Sequence, residues 1–279
     1  MWALKLLLLL ALVYAAILIA FYFAQTALIF PARMVQGAGP LPSGAERLAL
    51  DVPGGHRLHG VHFSPRFSRG DTPVILGFAG NAWNAEDAAA YLHEVYPEAD
   101  VVAFHYRGYR PSTGKPSAAA LLRDALLLHD FVSERFGGRP VVAVGFSIGT
   151  GVAGHLASRR SIAGAILVTP FDSLAAVGRG HYPWLPVGLF LRHRMNPARD
   201  LKASQVPIAL IVAGSDTLIP PARAQALAAA VPNLVFNRTI EGASHNDIYQ
   251  RSAFQQAMDQ ALAAIQDAGG DAGKPQRAK

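Results

Sequence analysis

Ser147, Asp216 and His245, in that chain order, are the residues of this sequence best placed to do chemistry together. Ser147 sits in Gly145-Phe146-Ser147-Ile148-Gly149, after the apolar run 141–144 and before the small-residue stretch 150–157. A serine hydroxyl acts as a nucleophile when it stands exposed and a neighbouring base takes its proton. The strand-to-helix turn that presents it leaves no room for side chains two positions away. Glycine at both 145 and 149 supplies that room. The helix N-terminus that follows would aim its dipole, and the N–H of Ile148, at a reacting carbonyl. The pentapeptide alone occurs by chance in many chains, a Gly-rich structural turn being the competing reading, and its position after an apolar run makes it more specific.

The partners follow in the expected order. Asp216 lies just past the apolar run 206–214, and His245 lies in a loop after the run 234–240. Singly, Asp216 reads as a turn or cap residue and His245 as one of ten histidines. Jointly, residues just past the carboxyl ends of parallel strands share one rim, where Ser147, Asp216 and His245 can converge. Asp172 is a rival acid after the intervening run, although Thr169-Pro170-Phe171-Asp172-Ser173 also suits a helix cap with Ser173. Asp247 suits the start of the last helix, where a carboxylate meets the dipole. In the loop 77–84 the backbone N–H of Asn81 is the candidate to pair with that of Ile148, with Gly80 letting the loop run close. Acyl transfer by such a set needs no metal or organic cofactor. His56, His59 and His62 do not make a metal site, because every-third spacing on a strand sends neighbours to opposite faces.

Elements of one kind position these residues. Two runs, 46–52 and 56–63, flank Pro53-Gly54-Gly55 and predict an antiparallel hairpin. Apolar runs at 73–79, 100–106, 139–146, 163–170, 206–214 and 234–240 then alternate with helix-like stretches at 85–96, 117–136, 148–159, 221–231 and 247–265. Alternation with near-continuous apolar strands predicts an α/β fold, a mainly parallel central sheet covered by helices on both faces. Residues 171–200 are too long for a simple connection and predict a small cap or lid insertion. The expected organisation is an anchor at 1–30, a Pro/Gly-rich linker at 31–44, an α/β domain at 45–267 and a disordered tail at 268–279.

Residues 6–30 carry no charged side chain, with Lys5 before and Arg33 after. The stretch 6–24 alone is long enough to cross a hydrocarbon core of about 30 Å as a helix. A cleaved signal peptide is the competing reading. Its apolar region is usually about 7–15 residues and ends in a small-x-small site, which Ala24-Gln25-Thr26 matches poorly. Charge on the two flanks does not decide orientation, so the side of the membrane stays open. The 279 residues are 51% hydrophobic and 16% charged, too apolar for a disordered chain. The absence of cysteine excludes disulfides, zinc–thiolate sites and cysteine nucleophiles. The net charge of +6 is scattered rather than gathered in a stripe. That argues against nucleic acid as a partner and suits anionic lipid headgroups.

Together these pieces resemble the α/β-hydrolase superfamily, and within it the Bem-like, membrane-anchored serine hydrolases that include eukaryotic depalmitoylases. The carriers are the anchor followed by QTALIFPAR, then FAGNAWN, YRGYRPSTGKPS, GFSIGTG, TPFDS, YPWLPV, AGSDTLIP and GASHNDI. The resemblance implies a single-pass membrane protein that cleaves an ester or thioester, with a lipid-like acyl group as substrate. Ser147 would be the nucleophile, His245 the base and Asp216 the orienting acid. A serine peptidase, or a catalytically silent membrane-tethered scaffold, would use the same fold. Two positions depart from the branch. Ala79 stands where such proteins usually carry histidine, touching the oxyanion loop, and Arg110-Pro111 replaces the usual turn residues near the rim.

Overall fold

The computed structural model describes residues 1–35, 39–42, 44–67 and 72–272. The chain opens with helix α1 (Trp2–Ile29). Then come strands β1 (Ala45–Val52) and β2 (His56–Phe63), β3 (Val74–Phe78), helix α2 (Ala85–Val95), β4 (Val101–Phe104) and α3 (Ala118–Arg135). They are followed by β5 (Val141–Phe146), α4 (Ile148–Ala157) and β6 (Gly164–Val168). Three short helices, α5 (Leu174–His181), α6 (Val187–Phe190) and α7 (Pro197–Leu201), occupy the predicted insertion. β7 (Ile208–Ala213), α8 (Pro221–Ala228), β8 (Leu234–Ile240) and α9 (Ser252–Ala272) complete the chain.

The eight strands form one sheet in the order β1-β2-β4-β3-β5-β6-β7-β8. The hairpin pairs antiparallel within itself and with β4, while β4-β3-β5-β6-β7-β8 run parallel. β3 to β7 are buried along their whole length, which is why they read as continuous apolar runs rather than alternations. One face is covered by α2 and α9, through residues such as Leu92, Phe254 and Met258. The other is covered by α3, α4 and α8, through Leu121, Leu156 and Leu227. Phe30, one residue past α1, is 2% exposed and belongs to this second layer, so the first helix ends inside the domain's core.

The last helix differs from the expected 247–265. Asp247 precedes a 3₁₀ turn (Ile248–Gln250), and α9 begins at Ser252 and runs to Ala272. Asp247 Oδ1 instead accepts the Ser244 N–H at 2.8 Å, and Oδ2 meets Arg251 at 2.6 Å, closing the loop that carries His245. Of the expected tail, residues 273–279 lie outside the described residues.

Candidate active site

The sharp turn at Ser147 follows from its flanking glycines. A Cβ on Gly145 would lie 2.4 Å from the Gly149 carbonyl oxygen, and one on Gly149 would lie 2.2 Å from that of Phe78. Between them Ser147 adopts φ 52°, ψ −116°. That left-handed conformation is costly for a residue with a Cβ and persists only where surrounding structure enforces it. Among the described residues, Thr169 at the end of β6 is the other non-glycine held in this region (φ 49°), and nothing in its sequence context marks it. The Ser147 N–H is bonded to the Val168 carbonyl (3.0 Å), fixing the turn against β6.

Ser147, Asp216 and His245 come together at the carboxyl rim of the parallel strands. His245 Nε2 lies 3.0 Å from Ser147 Oγ, and His245 Nδ1 lies 2.6 Å from Asp216 Oδ2. The other carboxylate oxygen of Asp216 accepts the N–H groups of Leu218 (2.9 Å) and Ile219 (2.7 Å). Ser147 and His245 are each 9% exposed and Asp216 4%, so the line of bonds is shielded from water while its hydroxyl end stays reachable. Tyr249 meets Phe146 edge-on nearby, and burial pushes its hydroxyl up to about 12.

Asp172 does not join this set. Its Oδ2 faces Arg223 at 3.4 Å, and Ser173 caps α5 by accepting the Ala176 N–H. Ile148 is the first residue of α4, where no intrahelical carbonyl takes the N–H. The loop carrying Asn81 runs close by: a Cβ on Gly80 would stand 3.9 Å from the Ser147 Cβ. Two tyrosines of the 106–117 segment hold that loop. Tyr106 donates its hydroxyl to the Ala79 carbonyl (2.8 Å), and Tyr109 donates to the Asn81 carbonyl (2.9 Å). Asn81 Nδ2 in turn donates to the Ile29 carbonyl at the end of α1 (3.2 Å). With alanine at 79, the loop is therefore fixed through its carbonyls rather than through a side chain at that position. No feature of spacing distinguished these two tyrosines from ordinary core aromatics.

Residues 74–200 match the α/β-hydrolase fold family. Over 248 residues the chain is 32% identical to the uncharacterized protein Rv2307c of Mycobacterium tuberculosis, covering 85% of this chain and 86% of that one. It is 30% identical over 169 residues to the lysophosphatidylserine lipase ABHD12 of Danio rerio, covering 53% of this chain and 44% of the lipase. Among solved structures, the Pyrococcus furiosus esterase Pf2001 superimposes with a TM-score of 0.66 at 16% identity, covering 84% of this chain and 97% of the esterase. An α/β hydrolase from Vibrio vulnificus does so with a TM-score of 0.60 at 20% identity, covering 81% of each chain. Sheet order, nucleophile-type turn and these matches agree: the chain belongs to the α/β-hydrolase superfamily and has its fold.

Proposed function

We propose that this protein is a membrane-anchored serine hydrolase that cleaves carboxylic esters or thioesters of lipophilic acyl groups through Ser147, His245 and Asp216. The observation that carries the reading is the unbroken line of hydrogen bonds from Asp216 through His245 to a serine held in a strained turn. With its Nδ1 proton directed at Asp216, His245 Nε2 is free to take the Ser147 proton as Oγ attacks the carbonyl carbon. The oxyanion that forms is received by the backbone N–H groups of Ile148 and Asn81, and His245 returns the proton to the leaving oxygen or sulfur. Water then enters by the same route and releases the acid. Asp216 fixes the imidazole tautomer and offsets its charge.

Membrane attachment through α1 rests on its 28 residues and on a mean hydropathy of 2.8 over an 18-residue stretch of it. The lipophilic substrate rests on that attachment and on the lysophosphatidylserine lipase relatives. The test is labelling of detergent-solubilised protein with a fluorophosphonate probe. Wild type should label, while Ser147→Ala and His245→Ala should not. A folded wild type that stays unlabelled would sink the proposal.

A further inference from the structure

The cavity beside the rim is walled by the anchor itself. It measures about 330 Å³, within the range of small-ligand sites. One wall is α1, through Leu18, Phe21 and Tyr22; the other is the 174–191 segment, through Val177, Tyr182 and Phe190. Among the described residues, no Asp, Glu, Lys or Arg lines it. Two lining residues tie it to the candidate site. Leu218 donates its N–H to Asp216 Oδ1, and Ile29 accepts from Asn81 Nδ2.

The wall formed by α1 is held by specific bonds. Tyr14 donates its hydroxyl to the Trp184 carbonyl (2.8 Å), and Phe21 meets Tyr182 and Trp184 edge-on. The buried Gln25 amide accepts the Arg192 N–H (2.7 Å) and donates to the Phe190 carbonyl (3.3 Å). A helix of 28 residues spans roughly 42 Å, about 12 Å more than a hydrocarbon core. With the stretch 6–24 across that core, residues 25–29 stand at the leaflet surface. The contact with Tyr14, about three turns deeper, carries Trp184 (50% exposed), and with it the neighbouring Leu189 (75% exposed), to the level of the lipid.

We infer that this cavity is an acyl-chain site in which α1 and the 174–191 segment grip a long acyl chain drawn from the surrounding leaflet, placing its ester at Ser147. The inference rests on the hydrolase reading above and names its substrate class: esters whose acyl chain resides in a bilayer. α1 is then half of a binding site as well as an anchor.

Full-length protein in detergent carrying Leu18→Trp or Val177→Trp, which fill the cavity from opposite walls, tests this. Leu8→Trp, at an exposed position of α1, is the control. For each, kcat/KM is measured on p-nitrophenyl laurate and p-nitrophenyl butyrate, with fluorophosphonate labelling of Ser147 reporting the fold. The laurate-to-butyrate ratio should fall at least about tenfold in both cavity variants, the worth of two buried methylenes, and stay at the wild-type value in the control. Labelled cavity variants with an unchanged ratio overturn the acyl site and leave the hydrolase reading standing. Variants that fail to label count against neither wall, and Leu18→Ala and Val177→Ala, which widen the cavity, then decide: a ratio that does not move overturns the site. A wild type that fails to label overturns the hydrolase reading and the acyl site with it.

Discussion

The two oxygens of Asp216 have separate duties, and that separation fixes what an amide would do there. Oδ1 is held by two backbone N–H groups, so the side chain keeps its orientation whether or not His245 is present. In Asp216→Asn the carbonyl oxygen retains that place and the NH2 group faces His245 Nδ1. The imidazole must then accept there and carry its proton on Nε2, against Ser147. Turnover of a p-nitrophenyl ester should drop about 10⁴-fold while the melting temperature barely moves. A loss below tenfold would remove Asp216 from the orienting role. Gly149→Ala works through sterics instead. Its Cβ meets the Phe78 carbonyl at 2.2 Å, and backbone cannot give way cheaply, so we expect a loss of about 3 kcal/mol or more in chemical denaturation. The positions of Ser147, Asp216 and His245 were legible because each closes an apolar run at the same end. The holding tyrosines were not, since a buried tyrosine is far more often core and its hydroxyl partner is a backbone atom distant in sequence. Tyr109→Phe leaves the Asn81 carbonyl without its donor and should lower kcat more than it changes KM. An unchanged kcat would make Tyr109 a packing residue only.

At the scale of elements, the alternation of apolar runs and helical stretches was enough to read a parallel sheet with helices on both faces. Strands buried on both sides cannot alternate polar and apolar residues. The packing of α1 was not legible for a related reason. A helix apolar all round has no stripe to point at a partner. Beyond Lys5 and the two tyrosines, Gln25 and Thr26 break its surface, and both make polar contacts along with Tyr14, Thr26 Oγ1 meeting His193 Nε2 at 2.8 Å. His193 Nδ1 accepts the Ala118 N–H at the start of α3, so its proton sits on Nε2 and is donated to Thr26. Burial lowers the pKa of this histidine, which suits a neutral bridge. A second buried histidine gives a pH prediction at the junction of β4 and α2. Burial pulls His105 down to about 4, with His59 and Arg47 acting in the same direction and Glu86 Oε1 3.6 Å away. The unfolded chain takes up this proton near pH 6.5 and the folded chain does not. Stability therefore falls as pH drops from about 6.5 to about 4, by at most about 3 kcal/mol. Thermal melts of wild type and His105→Gln across that window should converge at low pH. Parallel curves would show that His105 does not titrate out of register with the unfolded state.

For the whole molecule, α1 has to be judged as part of the domain. Its exit plants Phe30 in the core, where the ring meets His193 edge-on at 5.1 Å. Its side chains also pair backbone groups of the 184–192 stretch. A helix that merely tethered a finished domain would make neither kind of contact, and a signal peptide removed after export would strip them away. Deleting residues 1–29 should therefore do more than remove the proposed membrane anchor. It would uncover Tyr182, Phe190 and the cavity wall behind them while unpairing the Arg192 N–H, a patch of the kind that drives association. The deleted form should elute as aggregate in buffer without detergent and melt several degrees below the full chain when both are held in the same detergent. Full-length protein should remain in the membrane pellet through alkaline carbonate and leave it only with detergent. A deleted form that is monomeric in plain buffer, with an unchanged melting temperature in detergent, would reduce α1 to a tether and separate the anchor from the fold.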